Sequence, residues 1–341
     1  MTWFEMLRSI EAFEGCVFDE GTVTRLELAA SRHDPRPLQL ATPSFQAFAT
    51  SEISQCCRSA FPVFSVTGSA CALNCEHCRS KILEPMIPAE SPEILDRRVR
   101  ALADAGSLAG FLLSGGSNRR NEINYARYLP VVARLKRDFP ELQVAVHTGL
   151  LDEPRARAMA DAGIDVAMID VIGADETISE VYHLDRPVAD FEASLAALTR
   201  TSMRIVPHIV IGLHFGTVLG ERRALDICAA YPIDALVLVV VMPIHALTGR
   251  FREPPLGDVV EIMRAARSRL EDKRVTLGCA RPFGLYRRTL DAYAVMAGID
   301  AIAFPSEGTL ALARGIARPL VQNHACCAMR VGSQALVEAL P

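Results

Sequence analysis

The stretch Phe61-Pro-Val-Phe-Ser-Val-Thr-Gly68 is an apolar run that stops at a glycine, and Cys71-Ala-Leu-Asn-Cys75-Glu-His-Cys78 follows it almost at once. The run reads as a buried strand, because continuous rather than alternating hydrophobicity marks a strand covered on both faces, as in parallel sheets flanked by helices. The cysteine segment reads as the loop that follows it. Its C-x3-C-x2-C spacing lets three thiolates converge while a short loop wraps around them. A [4Fe–4S] cluster has four irons, so three protein ligands leave one iron open for a substrate or cofactor. Zinc would want a fourth nearby Cys or His, and His77 is too close to Cys78 to serve easily; a group of buried thiols is the plainer alternative.

Seven further runs of the same kind follow: Gly110 to Gly115, Gln143 to Gly149, Val166 to Ile172, Arg204 to Gly212, Ala235 to Pro243, Val275 to Cys279 and Ala301 to Pro305. Between them lie stretches such as 92–106 and 153–163, rich in helix formers and closed by glycine. Repeated strand, helix, glycine stop and strand predict an α/β fold, a (β/α)8 TIM barrel, over residues 59–317. Residues 1–58 are expected to form an N-terminal helical extension packed on the barrel, with Thr2 and Glu5 as a capping box for its first helix. Residues 318–341 form a C-terminal tail whose Cys326 and Cys327 return to the active face.

The chain has 341 residues, half of them hydrophobic, and a mean hydropathy of +0.20, which suits one large barrel with appendages. No apolar run reaches the roughly 18 residues of a membrane span. The N-terminus lacks a basic region followed by an apolar stretch, so no secretory signal is read there, and a soluble, cytoplasmic chain is expected. A net charge of −4 with scattered arginines argues against a polyanionic partner such as nucleic acid. Ten cysteines in such a chain read as metal ligands and reduced thiols before disulfides.

In barrels of this kind the chemistry collects at the C-terminal ends of the strands. The second run ends Ser114-Gly115-Gly116-Ser117, where small residues let backbone approach a ligand closely, although a tight turn alone would use two glycines. His147 ends the third run as a ligand contact or a satisfied structural histidine. Asp170 ends the fourth as an acid at the mouth or a helix cap. His208 and Gly212 lie on the fifth, Met242 on the sixth reads as core, and Cys279 ends the seventh. Cys279, Cys326 and Cys327 together offer three thiolates to a second cluster, with adventitious thiols as the alternative. Cys228 reads as a buried small hydrophobe in a helix, and Cys56-Cys57 as a vicinal pair near the opposite end of the barrel.

The cysteine loop resembles the signature of the radical S-adenosylmethionine (SAM) enzymes, in which the open iron holds the amino and carboxylate groups of SAM's methionine part. That resemblance implies one-electron cleavage of SAM, with a reductant such as ferredoxin or flavodoxin, to a 5′-deoxyadenosyl radical that abstracts hydrogen from unactivated carbon. It implies cofactor contacts at His77, at Asp170 toward the ribose, and at Ser114, Gly115 and Gly116, where the family holds a Gly-Gly-Glu type motif and Ser117 replaces the acid. His208 and Gly212 fall in a stretch similar to the family's G-x-I-x-G-x-x-E. Its acid is absent from Leu213-His214-Phe215, so backbone and apolar contacts must suffice there.

From residue 61 to about 315 the chain resembles biotin synthase. Val275-Thr-Leu-Gly-Cys-Ala-Arg281, followed by Met296-Ala-Gly298, looks like the region that supplies an arginine to that family's auxiliary cluster, which makes Arg281 a candidate ligand or cluster neighbour and, with His147, a candidate for catalysis. The cysteines which that family places on the second, third and fifth strands are absent, so biotin synthesis itself does not follow. The N-terminal C-x4-C-x5-C and the C-terminal Arg-Ser-Ser of single-chain lipoyl synthases are absent too. Leu113-Ser-Gly-Gly116, Val146-His-Thr-Gly-Leu150, Pro207-His-Ile-Val-Ile-Gly-Leu-His214 and the late Cys-Cys pair resemble the biotin-synthase-like subunits of two-protein lipoyl synthases. This implies sulfur insertion into an octanoyl chain on a lysine of a lipoyl-carrier protein, with a second radical SAM protein completing the other sulfur. Cys71, Cys75 and Cys78 would hold the radical-generating cluster, and Cys279, Cys326 and Cys327 an auxiliary one that donates sulfur. The rivals are a radical SAM reaction without sulfur transfer and a noncatalytic Fe–S partner subunit.

Overall fold

The computed structural model describes every residue except 45, 56–59, 107, 248, 327, 330–336, 340 and 341; of 337–339 it describes the backbone alone. In chain order the strands are β1 (Leu38–Ala41), β2 (Val63–Ser65), β3 (Ile87–Pro88), β4 (Gly110–Ser114), β5 (Gln143–Thr148), β6 (Val166–Asp170), β7 (Arg204–Ile211), β8 (Ala235–Val240), β9 (Arg274–Leu277), β10 (Ala301–Ala303), β11 (Leu320–Asn323) and β12 (Val337–Ala339). The eight apolar runs are β2 and β4 through β10. The helices are α1 (Trp3–Ser9), α2 (Glu20–Ala30), α3 (Pro92–Asp104), α4 (Leu129–Asp138), α5 (Glu153–Asp161), α6 (Asp175–Tyr182), α7 (Val188–Thr199), α8 (Glu221–Ala229), α9 (Leu256–Arg269), α10 (Gly284–Met296) and α11 (Thr309–Gly315).

Local chemistry sets the helix boundaries that the sequence indicated. The Ser91 side chain accepts the Ile94 N–H at the head of α3 and Asp152 that of Arg155 at the head of α5, each followed by proline in the first turn. Thr2 and Glu5 form the expected reciprocal capping box on α1. None of the described helices is long and apolar enough to cross a membrane.

All strands lie in one curled sheet of order β12-β11-β1-β10-β9-β8-β7-β6-β5-β4-β2-β3. Every described pairing is parallel except β11 with β12. The barrel-like α/β architecture is therefore present, with one difference. A closed eight-strand barrel would pair β2 with β10, whereas here β10 pairs with β1, and β1 with β11. The 1–58 extension is thus not only helical. Leu38-Gln-Leu-Ala41 is buried at all four positions, and its backbone groups are satisfied by strands on both sides.

Two apolar layers result. The larger lies between the outer sheet face and the helices. The smaller fills the inside of the curl, where Ala41, Ala145, Met168, Val237 and Ala303 meet Ala325, Ala328 and Met329. The chain after β11 therefore enters the lumen, and Met329 O accepts from Arg274 Nη1 at 3.0 Å near the start of β9. The small inward residues leave the room that the tail occupies.

Candidate active site at the strand ends

The cysteine loop leaves β2 through a turn in which Ser65 Oγ donates to Gly68 O at 2.6 Å. Ala72 N then donates to Ser117 O beyond β4, and Glu76 N to Val181 O on α6, at 2.8 and 2.9 Å. Cys78 N and Arg79 N both turn back onto Cys75 O, at 3.3 and 2.9 Å. Asn74, Arg79 and Ser80 take left-handed backbone to close the wrap. Cys75 is buried, and Cys71 and Cys78 are half-buried.

Cys75 and Cys78 share a hydrogen bond and hence one proton. That bond, helped by His77, pulls Cys78 down to about 4 against its burial. The same bond, with burial and the charges of Cys78 and Cys71, pushes Cys75 up. Among the described residues no three His, Cys, Asp or Glu side chains converge on a point that would hold a single metal ion. Three sulfur donors grouped but not focused on one ion fit the corners of a four-iron cube, whose irons take one thiolate each.

The end of β4 is fitted to this loop. A Cβ on Gly116 would stand 2.0 Å from Ala70 O and 2.6 Å from Cys71 Cα, so only glycine permits the approach. Gly116 N donates to Thr67 Oγ1 at 2.7 Å, and Ser114 O accepts Val66 N at 2.9 Å. Ser114, Gly115 and Gly116 thus brace the loop beside Cys71.

Inside the mouth, His147 on β5, Asp170 on β6 and His208 on β7 form a contiguous polar arc. His147 Nε2 lies 3.6 Å from Asp170 Oδ1, and the rings of His147 and His208 are 5.3 Å apart, edge to face. The His147 and Asp170 side chains keep 28% and 32% of their surface, though protein encloses them, so they line a concavity. Burial pushes the Asp170 carboxyl up, but His147, then His208 and His77, outweigh it and hold it below its ordinary value. Burial disfavours His147 charge, and Asp170 overcomes this and raises it. His208 goes the other way, to about 4, through burial and the neighbouring His147 charge. A neutral His208 with its Nδ1 on Val206 O, 3.2 Å away, donates there and offers Nε2 as an acceptor. His77 tilts against Tyr182 with ring centres 5.2 Å apart, and its buried Nδ1 has no hydrogen-bond partner.

The acid missing after Gly212 arrives from elsewhere. Glu221, the first residue of α8, accepts Gly212 N through Oε1 and Leu219 N through Oε2, both at 2.8 Å. It is buried, and burial raises its pKa. Sequence reasoning missed it; the available signal was an acid directly after a glycine at a helix start.

Of the later cysteines, Cys279 follows β9 and Cys326 follows β11. The Cys279 side chain keeps an exposed surface, yet the protein around it lifts the thiol, the Cys326 charge adds to this, and Arg281 and Arg287 oppose it. Cys326 also acts on His147, so it faces the interior. Cys327, Cys56 and Cys57 lie outside the described residues. Cys228 is fully enclosed in α8, its thiol pushed up to about 12 by burial.

Arg281 is held firmly by protein. It is fully buried, with Nε and Nη2 on the two oxygens of Asp291 at 2.7 and 2.9 Å, Nη1 on Gly278 O at 2.8 Å and Nη2 on Phe304 O at 3.0 Å. Four of its five donors are engaged by protein. It ties β9, β10 and α10 together, and its charge also acts on Cys279.

Residues 65–225 match the model of the radical SAM superfamily. A biotin synthase of Desulforudis audaxviator is 26% identical over 194 residues, covering 56% of this chain and 55% of that one, so this chain spans about half the length of that relative. A biotin synthase of Chlorobium phaeobacteroides is 22% identical over 271 residues, covering 76% of each. The [FeFe]-hydrogenase maturase HydG from Carboxydothermus hydrogenoformans superposes with a TM-score of 0.57 at 16% identity, over 89% of this chain and 67% of that one. That likeness speaks to the fold alone. Residues 65–225, which carry the cysteine loop and the β4 turn that braces it, are thus similar to the radical SAM superfamily, and biotin synthases are similar to this chain at low identity.

Proposed function

We propose that this chain inserts sulfur into an unactivated C–H of an octanoyl chain carried on a lysine of a lipoyl-carrier protein, as one of two cooperating radical SAM proteins of a lipoyl synthase. The observation that carries the reading is that Cys326, packed against the inner layer after β11, acts electrostatically on Cys279 after β9. A substrate arm entering between these and the cysteine loop would meet a hydrogen-abstracting centre on one side and a sulfur source on the other. When bound, the first cluster and SAM supply a 5′-deoxyadenosyl radical, with the electron from a ferredoxin or flavodoxin type of reductant. The chain's own residues hold and orient. Cys71, Cys75 and Cys78 present three sulfurs; Gly116 lets the loop seat; Asp170 and His208 offer acceptors toward a ribose and an adenine; the lumen residues close the floor against water.

The test is an assay on an octanoyl-lysine peptide with SAM and reductant, alone and with a second synthase subunit. Thiolated product is expected. Reconstitution under anaerobic conditions is expected to give about eight irons per chain for two four-iron clusters, and about half that number when Cys279, Cys326 and Cys327 are replaced by Ala. A single cluster in the intact protein, or SAM cleavage without a new C–S bond, overturns the reading in favour of a radical reaction without sulfur transfer. Absence of SAM cleavage points instead to a noncatalytic Fe–S subunit.

A further inference from the structure

Arg287 stands in the first turn of α10, six residues after Arg281, and its surroundings differ. Its Nη2 donates to Phe304 O at 2.8 Å, and its guanidinium carbon lies 5.8 Å from the Phe283 ring centre. Its Nε is buried and has no hydrogen-bond partner. The carboxylate that acts on it, Asp291, is engaged by Arg281 through both oxygens and also accepts Ser306 N at 2.8 Å. The other anionic group that acts on Arg287 is Cys279. Burial and the Arg281 charge bring Arg287 down to about 10, as expected of a cation without its own counter-ion. A partly enclosed guanidinium with an idle donor is unfavourable unless an anion completes it.

We propose that Arg287 is the anion-binding residue of the inner mouth, and that its guanidinium receives a negatively charged group held beside Cys279 and Cys326. The anion has two sources. One is an iron–sulfur cluster on those cysteines, which carries net negative charge from its thiolates; this source rests on the sulfur-insertion reading. The other is a carboxylate of a small substrate, which does not.

The full-length protein is compared with Arg287→Gln and Arg287→Lys, each first checked for an unchanged melting profile. In one arm the three loop cysteines are replaced by Ala, so that only the second cluster assembles, and iron content and midpoint potential are measured. Removing the charge is expected to move the potential negative, because a nearby cation favours the reduced cluster, or to halve the iron, while Lys stays near the parent. In the other arm, metal-free protein with all ten cysteines intact is titrated with octanoate by calorimetry. Binding is expected to weaken about tenfold in Arg287→Gln if a carboxylate is the anion. An effect in the first arm assigns the cluster, and an effect in the second assigns the substrate carboxylate. No effect of Arg287→Gln in either arm overturns the proposal. Should the parent hold no second cluster, the sulfur-insertion reading fails by itself, and the octanoate titration still decides Arg287.

Discussion

The two sides of the mouth are built by different rules. On the β2–β4 side, three cysteines within 71–78 are held by hydrogen bonds inside their own loop and to the adjoining Ser117 and Val181. On the β9–β11 side, Cys279 and Arg287 come from the one segment that joins β9 to α10, and Cys326 reaches them from a distant one because the chain after β11 enters the lumen. The first site is a local motif seated on a strand end. The second is a tertiary product that exists only when the tail is docked. Changes in the tail should therefore leave the first site intact, and changes in the loop should leave the second.

The largest expected effect tests that separation. Ser in place of Cys71, Cys75 or Cys78 removes one of three sulfurs, and we expect SAM cleavage at background and a loss of about four irons per chain, with the second site still filled. Iron analysis and chromatography of 5′-deoxyadenosine check this; any single variant that still cleaves SAM breaks the contrast. Next in size is Arg281→Met, which strands Asp291 in a site with no exposure on either partner. Such a break costs about 3–5 kcal/mol in urea unfolding. A cost below about 1 kcal/mol would falsify the structural role and return Arg281 to the cluster-contact role that the sequence suggested.

How far each side was legible in the sequence follows from the same difference. The strands buried on both faces announced themselves as apolar runs, and the caps at Ser91 and Asp152 marked the helices that cover them. The cysteine loop carries its whole ligand set in its own spacing. β1 was invisible because four residues with a central Gln39 gain strand character only from β10 and β11 on either side. Glu221 left only a faint signal, an acid after a glycine at a helix start, because it lies nine residues past the glycine it serves. Arg281 follows β9, but a sequence cannot tell which of two nearby arginines Asp291 has already engaged. The lumen-filling tail left only an indirect trace, the alanines at inward positions of β1, β5 and β10.

A smaller effect probes the seam between loop and barrel. Gly116→Ala forces a Cβ against Ala70 O, and overpacking of this kind costs about 1–3 kcal/mol. The strain should appear as weaker iron retention at the first site, with the second unaffected. Gly257→Ala in α9 is the control, since a Cβ there meets nothing within 4 Å; it should stabilise by about 0.4–1 kcal/mol. Equal unfolding midpoints for the two variants would mean that β4 does not brace the loop.

The smallest effect lies in the polar arc between the two sides, where His147 and His208 should respond to pH with opposite sign. The raised pKa of His147 gives stability that is full below its unfolded value of about 6.5 and is lost as pH rises through the folded value. The lowered pKa of Asp170 gives stability that is full above about 3.9 and is lost as pH falls through its folded value. The pair therefore contributes most between about pH 4 and 6.5, by about 1 kcal/mol or less given its partial exposure and 3.6 Å separation. His208, pulled down to about 4, binds a proton in the unfolded chain before it does so in the folded one, and so destabilises across that same window. Urea midpoints across it should then fall for His147→Gln and rise for His208→Gln relative to the parent, with both differences fading above neutrality. If both variants shift the same way, the two rings titrate independently, and the inner mouth is not one coupled set of charges linking its two sides.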